Sequence, residues 1–191
     1  MLKAIIFIFF NIIYCQSAFN NFIFHNSFFL NIPIKKITFD YHSQNIDGLS
    51  NTSSGAIIIG QDNYKIVFDK HIILFTNSIF KRYNKSTNQI FIENSNTIVD
   101  SLINNFFNAD YLNKIQLDGQ GQILNPPVLL ENEIICYINF SADSSLIKSF
   151  NFIYGSFNIE LFNIQYSTLD LDNKHIFKID VSNAFILDLR D

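Results

Sequence analysis

Apolar and polar residues alternate along much of this chain. Ile37, Phe39 and Tyr41 alternate with Thr38, Asp40 and His42, and a period of two is what a strand with one buried face requires. Gly55-Ala56-Ile57-Ile58-Ile59-Gly60 is a second strand, and Gln61-Asp62-Asn63 is a tight turn. Tyr64, Ile66 and Phe68 then alternate with Lys65, Val67 and Asp69. Asp69-Lys70 turns the chain into residues 71–75, Thr76-Asn77-Ser78 leads to 79–83, and a polar turn from Asn84 to Asn88 precedes 89–93. Short, closely spaced strands of this kind predict an antiparallel meander. Asp47-Gly48 and Ser53-Ser54-Gly55 read as turns.

The period changes in two places. Over residues 19–32 the spacing of Phe19, Phe22, Phe24, Phe28, Phe29 and Leu30 predicts a short helix closed by Pro33. Over 95–108, Ile98, Leu102, Ile103, Phe106 and Phe107 recur at three and four residues, which predicts an amphipathic helix capped by Ser95 or Asn96. A second run of strands is predicted at 115–118, 121–124, 132–140, 146–154, 157–167 and 175–181, with a turn at Asp118-Gly119 and a bend at Pro126-Pro127. No repeat and no low-complexity linker interrupts the 191 residues, so the pattern describes one domain.

The first residues follow a different logic. Lys3 supplies a positive charge, Ala4 to Tyr14 is apolar except for Asn11, and small residues follow at Ser17 and Ala18. This is the order of a secretory signal, with cleavage near Ser17 or Ala18. It gives residues 1–18 as signal peptide and 19–191 as the mature domain. The apolar run falls short of the roughly 20 residues a membrane span needs. A buried N-terminal helix is one alternative, and lipidation at Cys15 is another, although Tyr14 stands where a small residue usually precedes such a cysteine. If cleavage follows Cys15, Cys136 alone remains and no internal disulfide can form. Its apolar surroundings then predict a buried, inert thiol.

Composition excludes more than it assigns. Hydrophobic residues at 48% against 16% charged are incompatible with disorder. The 22 Phe residues, with many Ile, Asn and Lys, are in part what an AT-rich genome supplies, so the excess is discounted as a functional signal. A net charge of −4 without a basic block argues against nucleic-acid binding. His25, His42, His71 and His175 are scattered, with no metal-ligand spacing. No nucleophile elbow or phosphate-cradling loop occurs, and Gly119-Gln120-Gly121 is a turn. Asp170, Asp172 and Asp180 read as solvated turn carboxylates rather than a calcium site. A protein that is not an enzyme, with no cofactor and no metal, is expected.

Several stretches resemble the LolA-type carriers of outer-membrane lipoproteins. Residues 55–59 followed by 64–68 are similar to that family's glycine, apolar strand, turn and aromatic strand. Residues 76–84 through 87–90 resemble its next hairpin, and Ile186-Leu187-Asp188-Leu189-Arg190 its ending. The order of features, from signal peptide through helix, meander and inserted helix to a second run of strands, is also similar. The resemblance implies a mainly β (α+β) fold: an incomplete antiparallel β-barrel of about ten or eleven strands, with helices as a lid over an apolar cavity. It further implies a monomeric periplasmic carrier of acylated lipoproteins or lipids, with an inner-membrane transporter as donor and an outer-membrane acceptor. Where the family has Arg-Pro, linked to lid closure and cargo handover, this chain has Gln61-Asp62.

An acyl chain offers no hydrogen bonds, so its site must be apolar and sheltered. About ten sheltered methylenes are worth roughly 8 kcal/mol relative to water. The strand alternation gives the inward candidates as Phe39, Tyr41, Ile57, Ile59, Tyr64, Ile66, Phe68, Ile134, Ile138, Phe150 and Phe152. Leu102, Phe106 and Phe107 are the candidates for closing the top. The competing reading is that these side chains fill a dry core, in a non-catalytic envelope structural or interaction domain that could be anchored through Cys15.

Overall fold

The computed structural model describes residues 16–27, 31–44, 50–61, 63–76, 78–94, 114–124, 134–143, 146–154, 157–169 and 175–190. Residues 16–27 form helix α1. Ten strands follow: β1 Lys35–Gln44, β2 Ser50–Ile59, β3 Tyr64–Val67, β4 His71–Thr76, β5 Ile79–Asn84, β6 Gln89–Glu93, β7 Ile134–Phe140, β8 Ile147–Tyr154, β9 Phe157–Thr168 and β10 Phe185–Asp188. They make one open sheet in the order β10-β6-β5-β4-β3-β2-β1-β9-β8-β7. The order shows two antiparallel meanders joined where β1 pairs with β9. The predicted helix at 95–108 and the segment 1–15 lie outside the described residues.

Among the described strands every pairing is antiparallel except β10 with β6, and the path of the chain explains it. β9 ends beside Lys35, at the end of the sheet where Ile59 meets Tyr64. Residues 175–184 then cross the outer face to the opposite end. Phe177 packs against Gly60, the Lys65 ammonium donates to the Lys178 carbonyl (2.7 Å), and the Asn88 amide donates to the Asn183 carbonyl (3.1 Å). Entering from that far end, β10 can only run in the direction of β6. Leu74, Tyr83 and Ile90, buried and on the outer face by alternation, sit on the strands this segment crosses.

Several local expectations are corrected here. Residues 175–181 are not a strand, because they act as a cover held by side-chain bonds rather than a ladder. Ser53-Ser54-Gly55 lies inside β2, paired residue for residue with β1, and is no turn. The first helix already includes residues 16–18, ahead of the expected 19. Residues 115–118 and 121–124 supply only single bridges, Leu117 to Ile123 and Gln122 to Tyr137, and lie along the edge of β7.

One core binds these parts. α1 places Phe19 and Phe22 on the inner face of the sheet with Ile37, Ile59, Tyr64 and Ile138, and the 115–123 segment adds Ile115, Leu117 and Ile123. Phe140 lies 6.0 and 6.1 Å from the rings of Phe19 and Phe22. The Gln16 side chain ties the helix to that segment, donating to the Ile115 carbonyl (3.2 Å) and accepting from the Leu117 N–H (3.1 Å). An extra residue in β9 between Phe162 and Gln165, where β1 runs from Thr38 to Asp40, makes a bulge that bends β9 against β1. Asn163 meets it in a left-handed conformation (φ 51°) and donates to Asp40 (2.8 Å).

Candidate functional site

The inner face carries the residues expected to line a hollow. Phe39, Ile57, Ile59, Tyr64, Ile66, Ile138 and Phe150 belong to one buried cluster, with Tyr41, Phe68 and Phe152 packed against it. Ile134 takes its place on β7 opposite Tyr154, but its side chain lies outside the described residues, as do Leu102, Phe106 and Phe107.

This face is not uniformly covered. At the end held by α1, Tyr64 is 1% exposed and stacks on Phe75 with centroids 5.2 Å apart. Here the expected lining residues Ile59, Tyr64 and Ile66 are buried. Toward the other end, Tyr41, Phe68, Phe152 and Leu161 are only half-buried, and Ile159 is 39% exposed. These five form a continuous apolar strip. Leu161 is registered between Tyr41 and Phe150, and Ile159 between Ser43 and Phe152. Tyr41 meets Phe68 edge-on at 5.5 Å, and Phe150 stacks on Phe152 at 4.5 Å.

Gly55 makes part of this surface possible. A Cβ there would lie 2.7 Å from the Phe39 ring, so the missing side chain lets the ring lie across β2. Phe39 in turn contacts both Tyr41 and Phe68, with centroids 6.4 Å apart in each pair.

Ile159 and Leu161 are absent from the expected lining, although they belong to the strand predicted at 157–167. The signal is present in Ile159-Glu160-Leu161, but the bulge at Asn163 shifts the inward set to Ile164 and Tyr166 further along, so no single period covers the strand. Phe19, Phe22, Ile115, Leu117 and Ile123 are likewise not among the expected lining, because nothing in the alternation says which segments cap a sheet.

Beyond β4 the inner face is mixed: Phe80, opposite Phe75, is buried, and polar side chains stand beside it. Arg82, registered with Ile73 and Phe91, sits 4.8 Å from the Phe91 ring centre and pairs with Glu93 at 2.8 Å. An open cleft of about 710 Å³ lies elsewhere, lined by Ala18, Ile138 and Phe140 together with Asn139, Lys148, Ser149 and Glu160. Its mixed lining contains only Ile138 of the expected residues, so it is not the apolar hollow foreseen.

Chemistry on the inner face is muted. Burial pushes the Cys136 thiol up to about 12 and raises the Tyr166 phenol, so both stay protonated. Burial also lowers Lys35 on this face and Lys65 beneath the outer cover. Outside, Ser54 and Asn163 donate to Asp40 and hold its carboxyl below the usual range. The His42 Nδ1 lies 3.0 Å from the Thr52 hydroxyl, an ordinary surface contact. Among the described residues no His, Cys, Asp and Glu side chains cluster as a metal site would need, and no helix is long and apolar enough to cross a membrane.

No family model matches the chain, and no curated protein matches it. Solved structures do. A LolA superfamily protein from Nitrosomonas europaea matches with a TM-score of 0.50 at 9% identity, covering 86% of this chain and 97% of that one. An uncharacterized conserved protein from Thermus thermophilus matches with a TM-score of 0.48 at 10% identity, over 91% of this chain and 98% of its own. The chain therefore has a LolA-like fold: a mostly β, ten-stranded sheet, open rather than closed, with a helix laid against it.

Proposed function

We propose that this protein is an exported, non-catalytic carrier that shelters the acyl chains of lipoproteins or related lipids. It would work in the periplasm, between an inner-membrane donor and an outer-membrane acceptor. The observation that supports this reading is the half-covered strip formed by Tyr41, Phe68, Phe152, Ile159 and Leu161. An apolar surface that continues past the sealed core without being closed suits an unbranched hydrocarbon, which asks for area and no polar partner. Each sheltered methylene contributes about 0.8 kcal/mol, and a bilayer offers a similar gain. Loading and release are then nearly balanced, so modest movements over the strip can decide the direction of transfer. With Gln61 in place of the family arginine, this reading assigns handover to such movements and to no lid arginine.

Native mass spectrometry of the purified protein tests the proposal. Co-purified acyl lipid, or binding of an added triacylated lipopeptide, is expected. An empty protein with no affinity for either would refute it. A second reading, a packed envelope interaction domain, is favoured by the sealed rows around Tyr64. It predicts no lipid binding at all and, if the chain is anchored at Cys15, incorporation of labelled palmitate.

A further inference from the structure

The two ends of the sheet are finished differently. Along β7 the 117–123 segment folds back on the strand: Ile123 N–H donates to the Cys136 carbonyl (3.0 Å) and Ile138 N–H to the Gly121 carbonyl (2.9 Å). At the other end, among the described residues, the sheet order stops at β10. There Phe185 N–H donates to the Asn88 carbonyl (3.0 Å) and Leu189 N–H to the Ile92 carbonyl (2.8 Å). In a parallel ladder alternate residues face the neighbour, so 185, 187 and 189 address β6, and the N–H and C=O of Ile186 and Asp188 point outward. The edge is also greasy: Phe185, Ile186 and Leu189 are 62%, 59% and 54% exposed. Such an edge is a template for another strand.

We propose that this edge is occupied by β10 of a second copy, running antiparallel about a two-fold axis at Leu187. The sequence of the strand selects both partner and register. Outward-facing groups must meet outward-facing groups, which leaves axes at 186, 187 or 188. An axis at 188 sets Asp188 against Asp188, and like charges directly opposite are unfavourable. An axis at 186 sets Leu189 against Asn183 and leaves it unpaired with apolar surface. An axis at 187 sets Phe185 against Leu189, Leu187 against itself and Leu189 against Phe185, all on one face. On the other face Ile186 meets Asp188, whose carboxylate is already paired within its own chain by Arg190. The surface is therefore self-complementary, as a two-fold interface must be. The dimer departs from the monomer expected from the family resemblance, and it stands or falls independently of cargo.

Sedimentation equilibrium of the purified protein over a range of concentrations tests this. A reversible monomer–dimer equilibrium is expected. Ile186→Pro removes an outward N–H that β6 does not use, and should weaken dimerisation about tenfold or more with circular dichroism unchanged. Phe185→Lys and Leu189→Glu should each dimerise poorly alone and restore a dimer when mixed, since the register sets the new lysine opposite the new glutamate. The mixing result decides the matter even if the proline variant misfolds. A monomer at every concentration, a dimer indifferent to these changes, no rescue on mixing, or capture of unrelated extended peptides without self-association would each overturn the proposal.

Discussion

Close approach at single residues sets the shape of the inner face. Gly55→Ala illustrates the balance. Alanine would ordinarily help a strand by restricting the unfolded chain, but here its methyl would press into the Phe39 ring at 2.7 Å and toward the Val67 carbonyl at 3.1 Å. The ring is buried and cannot swing freely, so overpacking should win, at about 1–3 kcal/mol. Urea denaturation checks this, and in a Phe39→Leu background the cost should shrink, because the two residues are coupled. Cys136 makes a second residue-scale prediction. Its folded pKa is raised to about 12, whereas an unfolded thiol ionises near 8.5. The unfolded state therefore loses its proton first, and rising pH favours unfolding. Stability should fall from about pH 8.5 upward toward 12, and Cys136→Ala should flatten that part of the profile. Cys136 was legible in the sequence as a buried thiol because its apolar neighbours leave no other role. Gly55 was not, since its service is to Phe39, sixteen residues away by number (55 against 39) and directly opposite across the ladder.

At the scale of elements, α1 separates packing from exposure on one short helix. Phe19→Ala or Phe22→Ala should cost about 3–5 kcal/mol, because each leaves a cavity in the core. Phe24→Ala, at a position 77% exposed, should change the urea midpoint little. The same helix bears on processing. Gln16 bonds residues 115 and 117 through its side chain, so a chain starting at Gln16 should be more stable than one starting at Phe19 by at least about 1 kcal/mol. Comparing their thermal unfolding checks it; equal stability would mean that those bonds contribute nothing. Strands of the first meander were readable because one buried face imposes a period of two. The segment 175–181 reads as a strand in the sequence because a cover lying across a sheet can also present apolar residues at alternate positions, and only the tertiary path tells the two apart. The parallel β10 was unreadable for the same reason: its direction depends on where residues 175–184 deliver the chain.

For the whole molecule, the inward face was legible and its state of filling was not. Alternation told which side of each strand holds Phe39, Ile57 or Phe150, yet nothing local says whether α1 and the 115–123 segment seal the space above them. They do so over Tyr64 and Ile138 and leave Ile159 partly open. Ile159→Glu should therefore cost little stability and place a charge where a hydrocarbon would run, lowering lipid affinity about tenfold or more. The direct test is photo-crosslinking with a fatty acid or lipopeptide carrying a diazirine on its acyl chain, followed by peptide mapping. Label concentrated on the peptides holding Tyr41, Phe68, Phe152, Ile159 and Leu161, and lost with Ile159→Glu, is the predicted result. Absence of label, or label spread over the polar cleft of Lys148 and Glu160, would contradict the carrier account.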